Sequence, residues 1–489
     1  MTITLADPSL LKTQAYINGE WVDGDAGETF AVYNPATNEE IAQVASVGAV
    51  EVRRAIEAAA VAQKAWAARP AKERANLLRA WYNLVMANQE DLAVIMTTEQ
   101  GKVLAESRGE IAYSASFIEW FSEEARRVNG DVISLPQTDR RGIVIKQPVG
   151  VVAAITPWNF PSAMIGRKVA PALAVGCAIV TKPASETPLS ALALAELAHR
   201  AGIPAGLLSI VPGHNAREIG GELTSNPIVK KLTFTGSTPV GKELMKQCAD
   251  TVKRTSMELG GNAPVIVFED ADIDAAVAGA AASKYRNSGQ TCICANRILV
   301  QDTVYDEFVA KLTDEVRSYK LGNGLDDTST HGPVVTTKAV ADIDAMVRQA
   351  LDNGAEAVVG GKPGTALGDH YYEPTILTNV TSDMRVFREE IFGPVAPIFK
   401  FSTEEEAIAM ANDTEFGLAS YIYTRDIGRV WRVSEGIEYG MVGVNEVAIT
   451  SDVVPFGGVK ESGQGREGSS YGVDDYLEVK YICMGGLEK

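Results

Sequence analysis

Three side chains stand where chemistry could be done. Cys292 lies in the polar stretch GQTCICANR, Gly289 to Arg297, with Cys294 two residues further on. Cysteines so close could ligate a metal, form a disulfide, pair a nucleophile with a companion, or simply pack. A metal is disfavoured. CxC has no second cysteine pair, and His199, His214, His331 and His370 show no ligand spacing. The flanks Gln290 and Thr291 are too polar for a small buried hydrophobe, so Cys292 reads as a nucleophile on a glycine-containing loop. Glu258, in MELGGNAP, precedes a Leu-Gly-Gly turn in apolar company. It is either a surface glutamate or a general base with a raised pKa. Asn159, in TPWNFP, sits between Trp158 and Phe160 with prolines on both sides. It is either a turn residue or an amide donor to an oxyanion, held by stiff neighbours.

A fourth stretch, FTGSTPVGKE, follows a strand and opens a helix. Gly236 to Lys242 fits G-x-x-x-x-G-K, but Glu243 stands where a P-loop needs Ser or Thr for magnesium. A carboxylate there would also repel nucleotide phosphates. What remains is a glycine turn entering a helix, or a helix N-terminus facing a dinucleotide pyrophosphate, with Ser237 and backbone N–H groups as donors.

These residues need elements to hold them. GIVIKQPVGVVAAIT reads as two strands broken at Pro148-Val149-Gly150. RKVAPALAVGCAIVTKP reads as a helix, a glycine break and a buried strand. SALALAELAHRAG is an amphipathic helix closed by Gly202, and LLSIVPG and VKKLTFTGS are strands. A second series starts at NAPVIVFEDADIDAAVAGAAASKY. The rhythm predicts an α/β fold of two doubly wound lobes meeting near residue 258, a Rossmann-like cofactor lobe and a catalytic lobe. GDVISLPQTDRRGIVIKQ reads as a hairpin. The tail DDYLEVKYICMGG alternates, placing Leu477, Val479, Tyr481 and Cys483 on one face. A lone terminal strand needs an edge to pair with, and a neighbouring subunit could supply it.

Composition narrows the partners. The 489 residues are 46% hydrophobic and 22% charged, and the net charge is -18. That excess repels phosphate backbones and acidic membrane surfaces, so nucleic acid and membrane are not expected partners. No secretory or transit segment is visible, and the longest apolar run, Val169 to Thr181, is too short to span a bilayer. Cys177, Cys248 and Cys483 are scattered singly, which reads as a reducing, cytoplasmic setting rather than a disulfide framework.

The ordered set TPWNFP, TKPASETP, FTGSTPVG, MELGGNAP, GQTCICANR, EEIFGPV and PFGGVKESG resembles the aldehyde dehydrogenase superfamily. The resemblance runs from YINGEWV to PFGGVKESGQGREG, essentially end to end. It implies a dinucleotide-binding domain (1–125 and 149–257), a catalytic domain (258–465) and a small β oligomerisation element (126–148 and 466–489). It implies a homodimer or homotetramer. It implies that Cys292 attacks an aldehyde, that Asn159 and the Cys292 N–H hold the oxyanion, and that Glu258 activates water against the thioester. Lys168 falls in the same catalytic set, and no metal is needed. Thr156, Trp158, Lys182, Gly236, Ser237, Leu259, Glu390 and Phe392 map to the cofactor groove. Where NAD-preferring members often carry KPAE, this chain has Ser185 in the fourth place and Glu186 after it. Losing that carboxylate relieves repulsion of a 2′-phosphate, which Lys182 and Ser185 can bind, so NADP is expected to be preferred, with NAD possible.

KYRNSGQTCICANR and MIGRK resemble the succinate-semialdehyde dehydrogenase branch. That resemblance implies that Arg167, Arg286 and Ser451 hold a distal carboxylate on the aldehyde. Glutarate semialdehyde, one methylene longer, is the alternative substrate, because a methylene is worth only ~1–3 kcal/mol of discrimination. A catalytically silent member serving as a binding protein is the reading from another class, and the intact Cys292, Glu258 and Asn159 oppose it. Cys294 is either a packing residue or the partner of Cys292 in a strained, easily reduced disulfide that locks the enzyme reversibly.

Overall fold

The computed structural model describes residues 3–487. Apolar residues on both faces of a strand demand helices on both sides of a sheet. Ala178–Lys182 shows the pattern: every residue is buried, and helix Ala163–Val175 before it ends at Gly176 in the left-handed region, φ 101°. The expected doubly wound α/β architecture is the one observed.

The first sheet has eight strands. Its five central strands are parallel, in the spatial order Leu208–Ile210, Ala178–Lys182, Val151–Ile155, Val229–Thr235, Arg254–Glu258. In chain order this is 3-2-1-4-5. The order therefore reverses between Val151–Ile155 and Val229–Thr235. Ligands in such sheets bind beyond the carboxyl ends of the strands at that reversal. The segments that follow those two strands are Thr156–Asn159 and Gly236–Ser237.

The second sheet has seven strands, from Glu356–Val359 at one edge to Met441–Val444 at the other. Strict alternation splits its core in two. Val265 and Val267 pack on one face, and Ile266 and Phe268 on the other. The chain passes from the first sheet to the second between Glu258 and Ala263. It also returns: Gly463–Gln464 pairs antiparallel with Met257 and Glu258 at the edge of the first sheet.

The hairpin Asp131–Ile133 with Arg141–Pro148 forms as expected. The tail differs from expectation in one respect. Leu477–Met484 pairs along its whole length with Arg141–Pro148 of its own chain, giving a three-stranded sheet. The missing edge is thus supplied internally, and no neighbour is needed to order the strand. Among the described residues, no helix is long and apolar enough to cross a membrane.

Candidate active site

The site begins with a strained loop. After helix Ile273–Tyr285 the chain turns through Asn287 (φ 50°), Ser288 (φ 53°) and Gly289 (φ 76°). Two successive non-glycine residues in the left-handed region cost of order 1–2 kcal/mol each and persist only where the surroundings hold them. Here they are held. Asn287 N–H donates to Glu106 at 2.7 Å, Ser288 Oγ to Gly332 O at 2.8 Å, and Gln290 Nε2 to Asn287 O at 3.0 Å. The loop delivers Cys292 half-buried, with its thiol facing a cavity.

The Leu-Gly-Gly turn now has a physical reason. A Cβ on Gly261 would stand 2.3 Å from the carbonyl oxygen of Cys292. Glycine is required there by the close approach of the Cys292 backbone. The same logic answers the Gly236–Lys242 question. A Cβ on Gly241 would stand 2.4 Å from Leu259, so that glycine lets helix Thr238–Ala249 pack on the turn. Lys242 points elsewhere, into an ion pair with Glu461 at 2.6 Å. Ser237 is the helix N-cap, and its side chain makes no capping bond, which leaves the first-turn N–H groups for an anion.

A cavity of 230 Å³ joins these pieces. Trp158, Asn159, Gly236, Ser237, Leu259, Cys292, Glu390 and Phe392 all line it. Phe392, at φ 53°, meets Trp158 edge to face with ring centroids 5.5 Å apart. Glu390 accepts from Gly261 N–H at 3.0 Å, and burial pushes its carboxyl up to about 8. Thr156 is buried just before Trp158, and its N–H donates to Lys182 O. Lys182 Nζ donates to Pro183 O at 3.0 Å, and burial lowers its pKa. Ser185 donates to Gly213 O at 3.2 Å and lines a separate cavity of 350 Å³ with Glu186 and His214.

Cys292 also borders a second, narrow cavity of 20 Å³ that leads away from the first. Arg167, Arg286, Thr450, Phe160 and Phe456 border it too. It shares Phe160, Arg286 and Thr450 with an outer chamber of 280 Å³. Arg286 is exposed at the mouth, its guanidinium 5.0 Å from the Phe160 ring centroid. Arg167 is buried, 3.9 Å from the Phe456 ring centroid. Ser451 donates its hydroxyl to Asp452 at 3.0 Å, and the neighbouring Thr450 borders the cavity.

Asn159 is 5% exposed, and its amide Nδ2 donates to Gln290 O at 3.0 Å. Its backbone carbonyl is clamped by Lys102 Nζ at 2.7 Å and Asn287 Nδ2 at 3.0 Å. Lys102 is paired in turn with Glu110 at 2.5 Å, and Glu110 accepts from Ser162 and Ala163 N–H at the start of helix Ala163–Val175. This clamp was invisible in the sequence, because Lys102, Glu110 and Asn159 meet only through the fold. Glu258 lies at the end of its strand, 3% exposed, with its carboxylate among Arg167, Lys168 and Glu467 rather than in the cavity wall. Burial first, and then Glu467, hold it well above the ordinary carboxylate range. Lys168 also stands away from the cavity. It donates to Glu467 at 2.5 Å and to Thr233 at 3.1 Å.

The two cysteines are unlike. Cys294 is buried, donates to Gly289 O at 3.3 Å and receives Lys284 Nζ at 3.6 Å. Burial, and then the Glu390 and Glu258 carboxylates, push the Cys292 thiol far up, with Arg167 pulling the other way. Among the described residues, no group of three or more His, Cys, Asp or Glu side chains could hold a metal ion.

The aldehyde dehydrogenase family model matches residues 21–482, and the chain belongs to that family. It is 61% identical to a glutarate-semialdehyde dehydrogenase of Pseudomonas aeruginosa, over 99% of this chain and 100% of that one. It is 59% identical to a 3-sulfolactaldehyde dehydrogenase of Pseudomonas putida, over 100% of both chains. It is 58% identical to an NADP-dependent succinate-semialdehyde dehydrogenase of Escherichia coli, over 98% and 99%. A succinate-semialdehyde dehydrogenase structure from Burkholderia pseudomallei superposes with a TM-score of 0.98 at 58% identity, covering 99% of this chain and 100% of that one.

The thiol's surroundings make a pH prediction. A raised folded pKa leaves little thiolate at neutral pH, and the thiolate is the reacting form. Alkylation of Cys292 by iodoacetamide, without cofactor, should speed up about tenfold per pH unit between about pH 7 and 9. A plateau near neutrality, followed by peptide mass mapping of Cys292, would contradict the neutral thiol.

Proposed function

We propose that this chain oxidises succinate semialdehyde to succinate, with NADP as the preferred acceptor. Glutarate semialdehyde is the second reading, supported by the P. aeruginosa relative. One observation carries the proposal: Cys292 faces two cavities at once. One is lined by Gly236, Ser237, Glu390 and Phe392, and the other by Arg167 and Arg286.

The residues then divide the work. Arg286 and Arg167 take the distal carboxylate and point the carbonyl at Cys292. The Cys292 sulfur forms the C–S bond, and its proton leaves toward a carboxylate. The oxyanion is held by the Cys292 N–H and by the Asn159 amide, once that amide lets go of Gln290 O. The free N–H groups at the start of helix Thr238–Ala249 would hold a dinucleotide pyrophosphate, and Glu390 would hold the nicotinamide ribose. When bound, that cofactor accepts the hydride released from the aldehyde carbon. A thioester remains on Cys292. Glu258, a strong base for a carboxylate, takes a proton from water, and the hydroxide displaces the thiolate as the acid leaves. Ser185 lines a cavity together with Glu99, Glu186 and His214, and its hydroxyl is the donor this reading assigns to a 2′-phosphate.

A reducing cytoplasm and a homo-oligomer belong to the same reading, supported by five free cysteines and by the exposed apolar residues Val132, Val479 and Tyr481 on the small sheet. So does a redox lock between Cys292 and Cys294, in which Cys294 must leave Lys284 and Gly289 to reach its neighbour.

NADPH formation from succinate semialdehyde should vanish in Cys292→Ala. Arg286→Ala should raise KM for this substrate by roughly 10- to 100-fold, with little change for an aliphatic aldehyde. Equal effects on both aldehydes, or a kcat/KM with NAD matching that with NADP, would refute the corresponding part. Peroxide should inactivate the wild type reversibly, with dithiothreitol restoring it, whereas Cys294→Ala should lose activity irreversibly as Cys292 oxidises further. Full recovery of the mutant would reduce Cys294 to packing.

A further inference from the structure

The narrow cavity beside Cys292 carries one polar group that the reaction above leaves unused. Its wall is mostly apolar, with Phe160, Met164, Ile293 and Phe456 all buried. Among the described residues, two that border it have buried polar atoms without a hydrogen-bond partner. One is Arg167, through Nε and Nη2, although Nη2 keeps an ionic contact with Glu467 at 2.9 Å. The distal carboxylate of the substrate accounts for those donors. The other is Thr291, 5% exposed, through its hydroxyl oxygen. The residue before it in the loop is fully used: Gln290 Nε2 donates to Asn287 O at 3.0 Å, and its Oε1 accepts from Val335 N–H at 2.9 Å. Thr291 alone of this polar pair has nothing to bond.

We propose that the site takes carboxylated aldehydes with a hydroxyl on the carbon next to the carbonyl, and that Thr291 is the specificity residue that reads this hydroxyl. At 20 Å³ the cavity has room for about one water molecule. A substrate lying in it leaves no room for that water. Succinate semialdehyde brings only two methylenes between its carbonyl and its carboxylate, so the Thr291 hydroxyl would stay buried and unpaired in the complex, at a cost to binding. A substrate hydroxyl would pair with it. The chain order says which carbon carries it. Thr291 directly precedes Cys292, which holds the carbonyl carbon, whereas Arg286 stands exposed at the mouth. The first carbon beyond the carbonyl is the one that passes Thr291. The reaction is otherwise unchanged: the aldehyde, NADP and water give the 2-hydroxy acid, NADPH and two protons. The assignment rests on the carboxylated-aldehyde reading above and narrows its substrate class.

Handedness supplies the readout. One hydroxyl on one wall distinguishes the enantiomers of 3-hydroxy-4-oxobutanoate, which is succinate semialdehyde with a hydroxyl beside the aldehyde. With the wild-type enzyme and NADP, kcat/KM for one enantiomer should exceed that for the other by roughly three- to tenfold. Thr291→Val keeps the shape and removes the hydroxyl. It should cut the ratio of kcat/KM for the preferred enantiomer to that for succinate semialdehyde by a similar factor, and Thr291→Ser should hold that ratio near the wild-type value. Enantiomers used equally well by the wild type would overturn the proposal. So would a Thr291→Val that lowers kcat/KM equally for the hydroxylated and the plain substrate, since that result puts Thr291 on the oxyanion or in packing. A measurement on the wild type alone does not depend on the variants folding. Malate, the product of the hydroxylated aldehyde, should compete with succinate semialdehyde, and one malate enantiomer should show a Ki roughly three- to tenfold below that of succinate. Two enantiomers that bind no tighter than succinate would overturn it. The underlying reading fails separately, if the wild type does not distinguish succinate semialdehyde from butanal. The ratio of 2-hydroxybutanal to butanal, in the wild type and in Thr291→Val, would then still test the hydroxyl contact.

Discussion

The constraint on which the structure depends is the approach of one backbone to another. The turn Leu259-Gly260-Gly261 leaves the first sheet and runs against the carbonyl of Cys292, which belongs to the second lobe. A side chain at Gly261 would clash at 2.3 Å. That contact brings the carboxyl end of Arg254–Glu258 to the loop that ends helix Ile273–Tyr285. It places Cys292 and the N-terminus of helix Thr238–Ala249 around one cavity, next to the end of the strand that carries Glu258. Gly241 packing on Leu259 and Glu390 bonding to Gly261 N–H depend on the same turn. The left-handed Asn287 and Ser288 are the strain accepted in order to present Cys292 there.

Electrostatics gives the site its second layer of order. The interior holds several ionised or ionisable groups where burial penalises charge, and nearly all are shared among partners. Glu110 accepts two N–H groups and one lysine, and so fixes both the start of helix Ala163–Val175 and, through Lys102, the carbonyl of Asn159. One turn further along the same helix stand Arg167 and Lys168. A single helix thus ties the Asn159 carbonyl, through Glu110 and Lys102, to Arg167 and Lys168. Burial sets the general direction: it keeps the Cys292 thiol neutral and raises the Glu258 carboxyl.

Much of this was legible in the sequence, and the reasons are local. The alternation of strands and helices follows from apolar runs, glycine stops and caps, such as Gly176 after Val175 and Asp272 before Ile273. Cys292, Glu258 and Asn159 declare themselves by being polar in unusual company. What stayed hidden was long-range. Glu467 meets Lys168 across 299 residues of chain, and nothing near either signals the other. The Lys102–Glu110 pair is hidden for the same reason. Between Thr450 and Ser451 the sequence offers no guide, because an irregular segment has no periodicity to say which of two neighbouring hydroxyls borders the cavity. The tail strand was recognised, but its partner was not, since an edge can be supplied by either chain or neighbour.

The central claim is that the acyl group passes through Cys292 and waits there for Glu258. The most direct measurement is the intact mass of Glu258→Gln mixed with succinate semialdehyde and NADP. The account predicts one succinyl group per chain, carried on Cys292, and formed together with one equivalent of NADPH. A variant that releases NADPH at the first turnover yet carries no adduct, or one whose adduct maps away from Cys292, would contradict it.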